Sequence, residues 1–282
     1  MKAIKINETG GLSQLKYEDV PIPEPQHSEV LIKNHTSGVE GAGVVEKLGP
    51  GAVGVTVDDR VAYFHLGSGS FAEYSTVPVD KLVKVPSNIS FEQAATTMIQ
   101  GITAHYLVHT VYLVEPGTKV LVHAAAGGTG SLICQVAKNA GGYVIGTTST
   151  KEKATKAKAC GADEVILYSN QDFVQEVNRI TEGFKCLATR GTMVLFGGAS
   201  GYPESLELNL VSSGSHSLIL PKLFDYIATP EELSWRANDV FDWITQGKIK
   251  MDNFTVFTLS EAKKAFEMLE GKKTIGKLLL KP

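Results

Sequence analysis

Apolar and polar positions in the first third of the chain alternate over short runs. Residues 2–6, 29–34, 43–48, 60–64, 71–77 and 81–85 each read as a strand, separated by Pro21, Pro23, Pro25, Pro50 and frequent glycines. The pattern predicts a compact, twisted β-rich domain over residues 1 to about 86. The period then lengthens. Ser87-Asn88-Ile89-Ser90 offers a helix N-cap, Glu92 and Gln93 stand behind it, and Ala94, Ala95 and Met98 supply the apolar positions. A second helical stretch runs from Thr103 to about Val111.

From Lys119 the pattern changes again. The apolar run Val120-Leu121-Val122 leads into Ala124-Ala125-Ala126-Gly127-Gly128-Thr129-Gly130, after which Leu132, Ile133, Val136 and Ala137 recur at helical spacing. Small residues let a backbone approach a pyrophosphate, and the first turn of a helix supplies unpaired N–H groups and a positive dipole end. The spacing Ala-x-x-Gly-x-x-Gly is a variant of the three-glycine dinucleotide fingerprint, so Ala126, Gly127, Gly128, Thr129 and Gly130 are candidate cofactor-binding residues. A glycine turn without a ligand is the alternative reading of the same residues.

Gly141-Gly142 ends that helix and Tyr143-Val144-Ile145-Gly146 begins a second strand. An NAD site places an acid near the end of this strand to take the ribose hydroxyls. Thr147-Thr148-Ser149-Thr150 stands there instead, with Lys151 and Lys153 in the first turn of the next helix. Hydroxyls and a cation suit a 2′-phosphate, which points to NADP. The competing reading makes Lys151, Lys153, Lys156 and Lys158 a solvated helix face.

A third strand is predicted over residues 163–167 and a helix from 170 or 171 to about 181. Another strand and helix are then due, yet residues 184–190 run at once into the apolar segment 192–196. A parallel strand needs a crossover of a dozen or more residues, so one unit of a doubly wound sheet is missing here. Either the sheet is shortened or the sequence omits residues. Beyond it come the loop Gly197 to Gly201, a helix opened by Pro230-Glu231-Glu232, a final helix opened by Ser260-Glu261-Ala262, and a strand over 275–280.

Composition narrows the picture little. The 282 residues are 43% hydrophobic and 20% charged, with a formal charge of −3, so nothing draws the chain globally to a polyanion. Three cysteines, at 134, 160 and 186, match neither a disulfide framework nor a zinc cluster. His105 and His109 lie one helical turn apart without the acid of a zinc protease pair, and no metal site is expected. The first residues lack the apolar core of a signal peptide and no run approaches a membrane span, which suggests a cytoplasmic enzyme.

The order of parts resembles the zinc-independent quinone oxidoreductases, the zeta-crystallin-like branch of the medium-chain dehydrogenase/reductase superfamily. The residues carrying the resemblance are Glu40-Gly41-Ala42-Gly43-Val44-Val45, Asp59-Arg60-Val61-Ala62-Tyr63, Gly69-Ser70-Phe71-Ala72-Glu73-Tyr74, the run from His123 to Gly130, Gly161-Ala162-Asp163-Glu164-Val165-Ile166, Arg190-Gly191-Thr192-Met193-Val194 and Thr274-Ile275-Gly276. It implies an α/β fold: a GroES-like β-rich catalytic domain from residues 1–102 and 222–282, and a Rossmann domain with a doubly wound parallel sheet over 103–221, binding NADPH. Lys153 and Tyr168, which join Thr148 and Ser149 of the hydroxyl run as candidates, are similar to residues near the 2′-phosphate, with Lys272 where an arginine is common. Thr103, Phe196 and Gly197 are similar to positions lining the nicotinamide, and Tyr63 to one near the cleft. Two segments of the family pattern are absent, after Val39 and after Gly183.

The activity implied is hydride transfer from NADPH to a quinone, with Tyr63 and Thr103 as candidates for positioning or proton delivery. Two competitors stand beside it. One is a reductase of alkenals, enones or enoyl thioesters; the other is a cofactor-binding structural or RNA-binding protein of crystallin type, against which no aromatic or glycine-rich RNA-binding signature is present. A homodimer is expected, extended through the strand-like residues 215–220.

Overall fold

A computed structural model describes residues 1–65, 69–172, 175–176, 186–198, 205, 208–271 and 274–282. The chain divides into two compact units, one of residues 1–103, 127–129 and 228–282, the other of 104–126 and 130–227. The expected cuts at 102/103 and 221/222 compare with observed cuts at 103/104 and 227/228.

The first unit opens with a hairpin of β1 (Lys2–Lys5) and β2 (Lys16–Asp19). An antiparallel sheet follows, built from β3 (Glu29–Thr36), β4 (Glu40–Leu48), β5 (Arg60–Phe64), β6 (Tyr74–Pro78) and β7 (Leu82–Lys84), in the order β6-β3-β4-β5-β7. The inward positions Val30, Ile32, Val45, Val61, Tyr63 and Val77 pack together with Val55 as one buried cluster. Alternation along β-branched strands puts these positions on one face, and consecutive residues of β4 and β5 are buried on the other face as well. Strand β6 begins later than its apolar pattern predicts. Residues 71–73 are shared with β1: Ile4 N–H donates to the Phe71 carbonyl at 2.8 Å and Glu73 N–H to the Lys2 carbonyl at 3.0 Å, while the Glu73 carbonyl still accepts from Asn34 N–H of β3 at 2.8 Å.

The cap predicted at Ser90 forms as a reciprocal box. Gln93 N–H donates to Ser90 Oγ at 3.2 Å and Ser90 N–H to Gln93 Oε1 at 3.0 Å. Helix α1 (Phe91–Thr96) runs through a π turn at Thr97–Gly101 into α2 (Ile102–Tyr106) and a second π turn at Leu107–Val111. The two predicted helices are thus one continuous helical run.

In the second unit, β8 (Lys119–Val122), α3 (Gly128–Asn139), β9 (Tyr143–Thr148), α4 (Lys151–Ala159) and β10 (Glu164–Leu167) alternate, and the strands form a parallel sheet in the order β10-β9-β8. This is the β-α-β-α-β half of a Rossmann fold. Ile145 and Ile166 are buried between strands and helices, with Leu121 and Cys186 packed against them. Further on, β11 (Thr192–Val194), α5 (Leu208–Ser212) and β12 (Ser217–Ile219) follow, and β11 pairs parallel to β12 in a separate two-stranded sheet. Among the described residues no strand joins β8 to β11, the gap where the sequence lacks a unit. Gly183 and most of the helix predicted from 170 or 171 to about 181 lie outside the described residues.

The chain returns to the first unit with α6 (Pro230–Thr245), β13 (Phe254–Thr258), α7 (Ala262–Glu270) and β14 (Lys277–Lys281). Thr229 caps α6 through Glu232 N–H at 3.2 Å, and Pro230 occupies its first turn. Gly101 lies inside the helical run because α6 crosses it closely: a Cβ there would stand 3.0 Å from Val240 Cγ1. Strand β14 pairs parallel to β13 and closes on the start of the unit, with Ser37 N–H donating to the Leu280 carbonyl at 2.9 Å and Leu280 N–H to the Ser37 carbonyl at 3.2 Å.

Candidate cofactor and active site

The glycine turn is shaped by three constraints. Ala124 takes a left-handed backbone (φ 51°), and Ala125 N–H donates to the Thr147 carbonyl at 3.1 Å, which pins the turn to the end of β9. A Cβ on Gly130 would run into the Ala124 carbonyl, so the first turn of α3 can approach the turn only with glycine there. Ala126 is buried while Gly127, Gly128 and Thr129 are half-buried, leaving the start of α3 accessible at its positive dipole end. Gly127 forms a bridge to Gly276, and a Cβ on Gly128 would fill the place of the Gln100 amide.

The four hydroxyls at the end of β9 and just beyond it have separate duties. Thr147 Oγ1 lies 3.0 Å from His123 Nδ1, and burial lowers the pKa of that imidazole. Thr150 caps α4 by accepting from Lys153 N–H at 3.2 Å. Thr148 is 2% exposed and its Oγ1 has no hydrogen-bond partner. A buried hydroxyl left unpaired carries a desolvation cost, which a ligand's acceptor would relieve. Ser149 is half-buried beside it, and its carbonyl accepts from Ser169 Oγ at 2.9 Å. Tyr168 N–H donates to the Thr148 carbonyl at 3.1 Å, and its side chain is 52% exposed. The ends of β9 and β10 therefore bring Thr148, Ser149 and Tyr168 together, with Lys153 half-buried in the first turn of α4. Donors, a cation and an aromatic ring in one place suit an adenosine phosphate. This half of the second unit fits NADPH.

Phe196 and Gly197 follow β11 as exposed residues, held by Leu195 N–H donating to the Ile219 carbonyl at 2.9 Å. Thr103 is 7% exposed in α2. Lys272 lies outside the described residues. The structure corrects the place given to Tyr63. Its ring belongs to the buried cluster of the five-stranded sheet, and its hydroxyl donates to Asn34 Oδ1 at 2.8 Å. Asn34 Nδ2 donates in turn to the Ala72 carbonyl at 2.9 Å and to Ser75 Oγ at 2.8 Å. Burial drives the Tyr63 phenol well above its ordinary value. A fully buried phenol committed to such a network packs the sheet.

Sequence reasoning overlooked two residues beside the glycine turn. Gln100 carries no motif, and its contact with Gly128 arises only from folding. Lys277 opens the otherwise apolar strand Leu278-Leu279-Leu280, and a lysine at a buried strand start was the available signal. Among the described residues no group of three or more His, Cys, Asp or Glu side chains is arranged to hold a metal ion.

Residues 5–87 match the family described as Alcohol dehydrogenase GroES-like domain, and residues 128–220 match Zinc-binding dehydrogenase. The chain is 35% identical to a quinone oxidoreductase of Pseudomonas aeruginosa, across all of this chain and 99% of that protein. It is 31% identical to the 2-haloacrylate reductase of a Burkholderia species, covering 99% of this chain and 98% of that one. The crystal structure of Escherichia coli quinone oxidoreductase complexed with NADPH superposes with a TM-score of 0.94 at 32% identity, each chain covered completely. The alignment with the Pseudomonas protein runs over 323 positions although this chain has 282 residues, so at least 41 of those positions hold no residue of this chain. Fold, full-length identity and the order of both domains agree, and the chain belongs to the quinone oxidoreductases of the medium-chain dehydrogenase/reductase superfamily.

Proposed function

We propose that the chain reduces quinones with NADPH, by hydride transfer that needs no zinc. The observation that carries the cofactor assignment is the unpartnered, buried Thr148 hydroxyl at the end of β9, beside Ser149, Tyr168 and Lys153. When bound, NADPH supplies the hydride. Protein residues do the rest. The N–H groups at the start of α3 receive the pyrophosphate, with Gly127, Gly128 and Gly130 keeping side chains out of its way. Thr148, Ser149 and Lys153 hold the 2′-phosphate, and Tyr168 covers the adenine side. Phe196 and Gly197 position the nicotinamide and exclude water from it. A quinone is already electrophilic, so no Lewis acid is required, in keeping with the lack of any cysteine before residue 134.

The test is titration of protein fluorescence with NADPH and NADH, followed by NADPH oxidation with a quinone in the presence of a zinc chelator. Preferential NADPH binding and chelator-insensitive turnover are expected; turnover abolished by the chelator would remove the zinc-independent reading. The likeness to a 2-haloacrylate reductase favours a second reading, reduction of an electron-poor alkene by the same hydride. NADPH oxidation by 2-chloroacrylate without oxidation by quinones would select it. A homodimer extended through β12 and a cytoplasmic location belong to the same reading, and the mass in solution tests the first. Among the described residues no helix is long and apolar enough to cross a membrane.

A further inference from the structure

A pocket of about 320 Å³ opens in the first unit beside the glycine turn. Val39, Ile99 and Leu269 give it apolar walls, while Gln100, Glu40 and Lys277 converge as its polar groups. That volume lies at the lower end of small-molecule pockets, about 300–1,000 Å³, and suits a compact ring. Val39 and Glu40 reach it because β3 and β4 are joined by only Ser37, Gly38 and Val39.

Lys277 Nζ donates to Glu40 Oε1, with the two side chains only 16% and 3% exposed. A buried ion pair is weak evidence for stability, since desolvation opposes the Coulombic gain. The Gln100 Oε1 atom accepts no hydrogen bond. Its amide packs against Gly128, so the pocket adjoins the turn assigned to the cofactor.

We infer that this pocket holds the quinone and that Lys277 delivers the proton completing its reduction, which rests on the function proposed above. With the hydride supplied by NADPH, oxidised to NADP⁺, the quinone becomes a hydroquinone monoanion. An N–H bond of the Lys277 ammonium then breaks and an O–H bond forms on the anionic oxygen, leaving neutral hydroquinone and a neutral amine. The new O–H donates to Gln100 Oε1. The amine stays bonded to Glu40 and takes a proton back from solvent. Burial pushes Lys277 down to about 8, within reach of a general acid working near neutrality. Among the described residues facing Lys277, Glu40 from β4 is charged; Ile99 and Gln100 from the π turn, Leu269 from α7, Thr274 and the cross-strand neighbour Phe254 are not.

The experiment measures menadione reduction by the wild type and Lys277→Arg over a range of about pH 6 to 10, which spans the buried lysine and a free one. Wild-type kcat is expected to fall above about pH 8 as the acid is lost, and Lys277→Arg to lose about 100-fold in kcat with a flat profile. Calorimetric titration of the cofactor-free protein with menadione is the second readout. Val39→Trp, which fills the pocket, is expected to abolish binding without lowering the thermal midpoint. A wild-type pH profile in Lys277→Arg would overturn the proton role, and unchanged menadione binding in Val39→Trp would overturn the pocket. Should Lys277→Arg fail to fold, a wild-type profile that stays flat through pH 8 overturns the proton role by itself. Menadione binding blocked by Val39→Trp, but no NADPH oxidation in the wild type, would sink the proposed function and the proton role while the pocket stands.

Discussion

The Tyr63 hydroxyl donates to Asn34 Oδ1 at 2.8 Å, joining β5 to β3 across the intervening strand β4. Both residues are buried, and the Asn34 amide is held at its other end by Ala72 and Ser75. Removing the hydroxyl leaves a buried acceptor unpaired, which costs about 1–3 kcal/mol. Tyr63→Phe should therefore lower stability by that amount in urea denaturation while kcat for quinone reduction stays at the wild-type value. A large fall in kcat with stability intact would return Tyr63 to the reacting groups.

Gly130 has no room for a methyl group, because the Ala124 carbonyl occupies that space. Gly130→Ala must push α3 away from the turn. Overpacking of this kind costs about 1–3 kcal/mol, and the displaced helix start should weaken NADPH binding as well. Thermal unfolding and fluorescence titration of the same preparation would show both losses; a variant that binds NADPH normally would mean that the turn does not receive the pyrophosphate.

Thr148 separates stability from binding. Its Oγ1 is buried and unpartnered, so Thr148→Val should leave the cofactor-free protein as stable or more stable, by up to about 1 kcal/mol. NADPH affinity should nevertheless fall. Lys153→Glu should act more strongly and on the phosphate alone, reducing the preference for NADPH over NADH about tenfold or more, since a like charge replaces an opposite one. Titration of both variants with both cofactors distinguishes these expectations.

Asp163 ties the end of α3 to β9. Its Oδ2 accepts from Val144 N–H at 2.8 Å and its other oxygen pairs with Lys138. Burial works against the charge, but the Lys138 hydrogen bond and the Val144 N–H outweigh it and hold the carboxyl below its ordinary value. A depressed carboxyl pKa contributes stability above the unfolded value, about 3.9, and loses it as the pH falls through the folded value. Asp163→Asn should cost about 1.5 kcal/mol at neutral pH, and the difference should shrink in acid. Urea midpoints of both proteins across acidic pH check the sign.

Local signals in the sequence were read faithfully where the fold keeps them local. The Ser90 cap, the glycine turn and the strand from Tyr143 follow from residues within a few positions of each other. Longer relationships were not legible. Residues 71–73 carry an apolar strand pattern, yet they divide their hydrogen bonds between β1 and β3, a sharing that depends on the hairpin at the start of the chain. The family resemblance puts Tyr63 near the cleft, and nothing in the sequence marks Asn34, 29 positions earlier, as its partner. Lys277 and Glu40 are separated by 237 positions, so neither residue announces the pair. The four hydroxyls of residues 147–150 are equivalent in sequence, and only the structure shows Thr147 and Thr150 engaged and Thr148 left over.

The exchange of hydrogen bonds between Ser37 and Leu280 also sets the order of events on the ribosome. These residues lie 243 positions apart, so the first unit cannot close until the intervening second unit has been synthesised. The five-stranded sheet is complete in the chain at Lys84, so at about 5–20 residues per second it waits roughly 10–40 s for Leu280 to emerge. During this interval the turn between β3 and β4 lacks the backbone partner that Leu280 later supplies.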